Sequence, residues 1–204
     1  MPARHRTAAL ALRAICVLAA AAAATAARGQ TPEPATESRF QLAFGVGAGL
    51  SSLSRTSDGP ERTPEAVFGA NARAVAGPLV AGAIIEGGTI VWDADLLFGG
   101  YLGLRGRLVG DHVLVVALQA GRHHFERCSL WTPCEAGNLP FAGVRIDLER
   151  SDAEGPRALA LWLSLAQDAR RVSVPSTPPP GETGIRYGGT VLFAGVSFRV
   201  GARW

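Results

Sequence analysis

Two adjacent histidines, His123 and His124, stand close to Glu126 in this chain. A histidine, a carboxylate and a hydroxyl are the parts of nucleophilic hydrolysis. The imidazole takes the serine proton and the acid orients the ring. Ser129 and Ser164 are the candidate hydroxyls, but no motif joins either of them to the histidines. Neighbouring side chains on a strand also point to opposite faces, so the two rings cannot act as a pair. The reading is therefore an interfacial histidine pair beside a loop, and no catalytic residue is assigned.

Cys128 and Cys134 bracket the segment Ser-Leu-Trp-Thr-Pro. In an oxidising compartment this spacing predicts a short loop disulfide that carries Trp131 on a constrained turn. The spacing matches no standard metal-ligand pair, with only His123 and His124 nearby, so no metal is expected. The glycine-rich stretches at 45–49 and 99–100 resemble phosphate loops only superficially. A phosphate loop needs a following helix, and here an alternating apolar pattern runs straight through. No cofactor is expected.

The remaining chemistry is charge, and its spacing is periodic. Arg39, Arg73, Glu86, Asp95, Arg105, Arg107, Arg145, Asp147, Glu149, Asp168, Arg199 and Arg203 all fall on the polar phase of a period-two pattern. Side chains of a strand alternate between faces, so these residues share one side of a sheet. If that side is enclosed, the charges must pair. The expectation is a polar network of Arg73, Glu86, Asp95, Arg105, Arg107, Arg145, Asp147, Glu149, Asp168 and Arg199. Arg105 and Arg107 are expected to face acids such as Asp147 or Glu149.

The elements that carry this pattern are eight strands. The first covers 39–50, with Phe40, Leu42, Phe44, Val46, Ala48 and Leu50 on one face and glycines on the other. A loop is expected over 51–64, because it holds Ser-Asp-Gly-Pro and Thr-Pro. The second strand covers 65–76 and turns at Gly77-Pro78. A third, over 79–87, places Glu86 inward and is expected to turn at Gly87-Gly88. The fourth sets Ile90, Trp92, Ala94, Leu96, Phe98, Gly100, Leu102, Leu104, Gly106 and Leu108 on one face; a helix would scatter these residues around its surface. Gly110-Asp111 turns it. The fifth covers 112–126, the sixth 139–150 and the seventh 157–170. A proline-rich loop over 172–187 precedes the eighth. Short connections alternate with longer ones, as in an up-and-down barrel.

The N-terminus names the compartment. Arg4, Arg6 and Arg13 precede or enter an apolar run over 15–24, and small residues follow at Thr25-Ala26-Ala27. That order describes a secretory signal peptide over 1–27. Its three arginines account for the whole formal charge of +3, so the basic balance belongs to targeting and gives no support for nucleic-acid binding. Residues 28–38 read as a flexible lead-in and 39–204 as one domain. No later apolar run approaches the length of a membrane helix. A chain of this kind crosses lipid only as a closed barrel, because backbone groups in lipid need partners.

The last nine residues alternate strictly, with Val196, Phe198, Val200, Ala202 and Trp204 on the apolar face. Such a face with a terminal aromatic suits a lipid-facing strand that ends at the membrane interface. On these residues, and on the eight-strand pattern over nearly all of 39–204, the chain resembles the small eight-stranded outer-membrane β-barrels of Gram-negative bacteria. The resemblance implies an all-β, closed, antiparallel transmembrane barrel in contact with outer-membrane lipid. It implies that Phe198, Val200 and Trp204 belong to an assembly signal read by the barrel-insertion machinery, with Trp where Phe is usual. An eight-stranded barrel is just wide enough for side chains to fill it. The implied role is structural, adhesive or loop-mediated binding of an extracellular partner. The alternatives are a narrow low-conductance channel, a rim-sited lipid-modifying hydrolase, and a soluble lipocalin-like barrel with its apolar faces inward.

Overall fold

The computed structural model describes residues 39–55, 59–90, 93–108, 112–127, 134–151, 157–168, 172–173, 186–187 and 189–203. The expected signal peptide, the lead-in, Trp92, Cys128, Ser129, Trp131 and Trp204 lie outside the described residues. The strands are β1 (Arg39–Arg55), β2 (Gly59–Ala76), β3 (Leu79–Ile90), β4 (Asp93–Arg107), β5 (His112–Arg127), β6 (Glu135–Ser151), β7 (Arg157–Asp168), β8 (Val172–Ser173), β9 (Arg186–Tyr187) and β10 (Gly189–Arg203). β8 and β9 pair with each other as a separate two-stranded sheet. The other eight form a closed barrel in the order β1-β10-β7-β6-β5-β4-β3-β2, with every pair antiparallel.

Closure fixes a stagger. Following paired residues once around the wall leads from Ser52 through Thr190, Gln167, Ala142, Ala120, Gly100, Ala83 and Ala72 to Leu42. The path returns to β1 ten residues lower, so eight strands close with a shear of ten. That stagger tilts the strands strongly against the barrel axis and leaves an interior that side chains fill.

The period-two alternation sorts the side chains as the pattern predicts. Leu42, Phe44, Val46, Phe68, Phe98, Leu102, Leu118, Leu161, Phe198 and Val200 are exposed on the outer wall. Their strand neighbours Arg73, Asp95, Arg145, Asp147, Glu149 and Arg199 are buried. Apolar outside and charged inside inverts a soluble barrel, and it is the arrangement that a lipid surround favours. Polar inward positions alternate with a buried apolar group that includes Val80, Leu97, Val115, Phe141, Trp162 and Phe193.

Four boundaries differ from the sequence reading, the first being the expected loop over 172–187, whose ends pair as β8 and β9. Most of 51–64 is strand: β1 runs to Arg55 and β2 starts at Gly59, despite Pro60 and Pro64. β3 leaves β2 at Thr89, opposite Ala66, so both prolines sit where β2 has a partner on one side only. A residue without an N–H is tolerated there. Gly87-Gly88 does not turn. It lies inside β3, where the Phe68 ring covers Gly87 on the outer face and the Glu65 carboxylate covers Gly88 on the inner one; a Cβ at either position would collide with them. The β3–β4 connection falls after Ile90 instead. β6 begins at Glu135, four residues earlier than expected, and Cys134 immediately precedes it. The turn at Gly77-Pro78 falls where expected, with Gly77 in the left-handed region at φ 56° and Pro78 O accepting from Arg105 N at 2.7 Å.

Candidate functional site: a paired polar lumen

The inner face of β1 is bare. Gly45, Gly47 and Gly49 leave room for bulky groups carried by other strands. A Cβ on Gly45 would come within 2.9 Å of Trp162 Nε1, and one on Gly69 of β2 within 3.5 Å of the same indole. Trp162 stands on β7, so its ring reaches across the lumen to the β1–β2 wall. Phe193 occupies the space over Gly49 in the same way. Small residues on one wall thus make room for large ones from another.

Three arginines and three acids fill the lumen towards the end where the chain turns at Gly77-Pro78. Arg73 grips Glu149 with two parallel bonds, Nη1 to Oε1 at 2.7 Å and Nη2 to Oε2 at 2.8 Å, and its Nε donates to Gln41 Oε1 at 2.6 Å. Arg145 pairs with Glu86 and with Asp147, its Nη2 lying 3.0 Å from Asp147 Oδ1. Arg199 bridges the two acids of β6, with Nη2 at 2.9 Å from Asp147 Oδ2 and Nη1 on Glu149. The Arg145 guanidinium also lies over the Tyr101 ring at 5.8 Å and the Trp162 ring at 5.4 Å. The six formal charges sum to zero. A guanidinium suits this place because it presents several donors in one plane and stacks on aromatic faces. All six residues were expected from the sequence.

A second cluster lies nearer the other end. His123 is fully buried, with Nε2 at 2.7 Å from Asp95 Oδ1 and Nδ1 at 3.0 Å from Asp168 Oδ1. Asp95 and Asp168 belong to the expected network. His123 does not; it was read as interfacial, and its odd position on β5, in phase with inward Gln119, was the signal that placed it inside. His124 faces the other way, with Nδ1 at 3.2 Å from Asn138 Oδ1. Ser51 donates to Glu65 at 2.5 Å, and Gln119 Nε2 donates to Ser164 Oγ at 2.8 Å. The Ser51–Glu65 pair has no local signal, because the turn-forming residues of 51–64 mask the strand that carries Ser51.

Arg105 is half-buried near the turn end, and Arg107, expected in the network, is exposed there. Position explains this: β3 leaves β4 at Leu104, opposite Leu79, so Arg105 and Arg107 continue along β5 with a partner strand on one side only. Asp147 and Glu149 are held by Arg73, Arg145 and Arg199. Phe198 and Val200 are exposed on the outer wall of β10.

The geometry bears directly on hydrolysis. Both ring nitrogens of His123 face carboxylates, so neither is placed to take a proton from a hydroxyl. Ser164 lies against Gln119 instead. Among the described residues, no three His, Cys, Asp or Glu side chains form a group that could hold a metal ion.

Eight antiparallel strands in a closed barrel with an apolar outer wall and a polar interior are the architecture of the small outer-membrane β-barrels. Solved structures of that class share the fold. The chain is similar to Neisserial surface protein A, with a TM-score of 0.59 at 10% identity over 79% of this chain and 96% of that one. It is similar to the N-terminal β-barrel domain of Pseudomonas aeruginosa OprF, with a TM-score of 0.51 at 10% identity over 82% and 100% of the two chains. It is similar as well to Ail, the attachment invasion locus protein of Yersinia pestis, solved with the heparin analogue sucrose octasulfate, with a TM-score of 0.50 at 11% identity over 80% and 99%. No protein-family model matches the sequence, and no curated protein matches it.

Proposed function

We propose that this protein is an exported, non-enzymatic barrel of the bacterial outer membrane, with a side-chain-filled lumen, and that it acts structurally, in adhesion or by binding a partner through its loops. The observation that carries the reading is the neutral six-residue cluster of Arg73, Arg145, Arg199, Glu86, Asp147 and Glu149 enclosed by an apolar outer wall. Lipid outside makes such a wall favourable, and an enclosed lumen makes complete pairing necessary. The signal-like segment 1–27 supports export. The apolar face ending in Phe198, Val200 and Trp204 supports recognition by the insertion machinery. Export also supports a Cys128–Cys134 disulfide. The complex of Ail with a heparin analogue supports binding of an extracellular partner as something this fold sustains.

The second reading is a narrow, low-conductance channel. The polar character of the lumen favours it, and the crossing pairs oppose it. Fractionation tests the main proposal. The folded protein is expected in the outer membrane, with a mobility on denaturing gels that changes on boiling. Recovery as a soluble periplasmic monomer would overturn it.

A further inference from the structure

We infer that His123, Asp95 and Asp168 form a proton-dependent latch that ties β5 to the start of β4 and to the β7–β10 junction. Asp168 is the last residue of β7 and Gly189 the first of β10. One oxygen of the Asp168 carboxylate, Oδ1, lies 3.0 Å from His123 Nδ1, while Oδ2 accepts the Gly189 N–H at 2.9 Å. The other ring nitrogen reaches Asp95 Oδ1 at 2.7 Å. A single ring therefore connects four strands at one end of the barrel.

An ionised carboxylate only accepts hydrogen bonds, and a neutral imidazole has one N–H. Donation to both acids requires both ring nitrogens to carry a proton. Loss of one proton removes the ring's hydrogen bond to one of the two buried carboxylates, which is unfavourable. His123 Nδ1 also lies 3.2 Å from Asp168 Oδ2, the oxygen that accepts the Gly189 N–H, so loss of the Nδ1 proton alters that acceptor as well. The latch is closed while both ring nitrogens carry protons.

The surroundings isolate the switch. β4 presents Asp95 to the ring, and β7 presents Asp168. The inward β6 neighbours are Leu139 and Phe141, which carry no charge. On β5 itself, Phe125 packs edge-on at 5.9 Å between ring centroids. Glu65 of β2 and Glu86 of β3 are other acids of the lumen, and they have donors in Ser51 and Arg145. The nearby His124 lies outside the lumen against Asn138 and serves as an internal control.

The test is a pH titration of the full-length, nitrogen-15-labelled protein folded in detergent micelles. Imidazole nitrogen shifts and the Gly189 amide proton shift are followed together. At neutral pH both His123 nitrogens are expected to carry protons. On the alkaline side the Gly189 shift is expected to move together with the His123 imidazole shifts and independently of those of His124. In Asp168→Asn the Gly189 shift is expected to stop following His123, and in His123→Gln the alkaline step is expected to vanish. A bare ring nitrogen on His123 at neutral pH overturns the latch, as does a Gly189 amide that ignores the His123 titration. Both results come from the unmodified protein, so the test stands even if a variant fails to fold.

Discussion

Arg73 and Glu149 face each other across the full width of the barrel. Their strands, β2 and β6, are four steps apart in either direction around the eight-stranded wall. The bidentate bonds at 2.7 and 2.8 Å therefore form a strut through the axis, and Gln41 orients the arginine from the side. A lumen crossed in this way is a packed interior.

Breaking the strut on one side leaves a buried charge behind. Glu149→Ala is expected to destabilise the folded barrel by about 3–5 kcal/mol, because Arg73, Arg145 and Arg199 are then left with only Glu86 and Asp147 between them. The double variant Arg73→Leu with Glu149→Leu removes both charges and is expected to recover part of that loss. Urea unfolding in lipid vesicles measures both. A double variant as unstable as the sum of the single ones would contradict the pairing.

The outer wall distinguishes lipid from water. Leu118 is 64% exposed, on the apolar face of β5. In a bilayer, Leu118→Arg is expected to cost about 2–4 kcal/mol if the site lies near the midplane. A soluble barrel would accept the same change at little cost. Refolding yield and unfolding free energy in vesicles decide between the two.

The bare wall of β1 is a third test. Gly45→Val drives its side chain against the Val196 carbonyl, 2.7 Å from an added Cβ, and into Ser197 and the Trp162 indole, each within 2.9 Å. Overpacking of this kind is expected to cost about 1–3 kcal/mol. Adding Trp162→Ala is expected to return part of that loss by clearing the indole. The change in denaturation midpoint against the single variants reads the coupling.

Conductance separates the structural reading from the channel. In planar bilayers the protein is expected to pass no steady current, because Arg73, Arg145 and Arg199 close the lumen through paired contacts. A large steady conductance would refute a filled interior.

The cysteine loop gives a chemical test. Thiol labelling of the exported, non-reduced protein is expected to modify neither Cys128 nor Cys134, and prior reduction is expected to expose both. Labelling without reduction would rule out the disulfide.

Alternation along single strands was enough to sort inside from outside. Phe198 and Arg199 are neighbours in the chain, and a period of two sends one to the outer wall and the other into the lumen, whatever the rest of the fold does. The same property marked the strands and which of their residues share the polar phase. It also put His123 and His124 on opposite faces before any contact was known.

Only the closed barrel decided who meets whom. Arg73 finds Glu149, 76 residues away, because a shear of ten brings those positions of β2 and β6 to one level. His123 becomes a tie between Asp95 and Asp168 for the same reason. Gly87-Gly88 reads as a turn in isolation and is strand in the fold, because Phe68 and Glu65 on β2 occupy the space above and below it. Arg107 has the inward phase yet is exposed, because enclosure depends on where neighbouring strands end. Periodicity is a property of the local chain, whereas pairing depends on stagger and closure, which the eight strands set together.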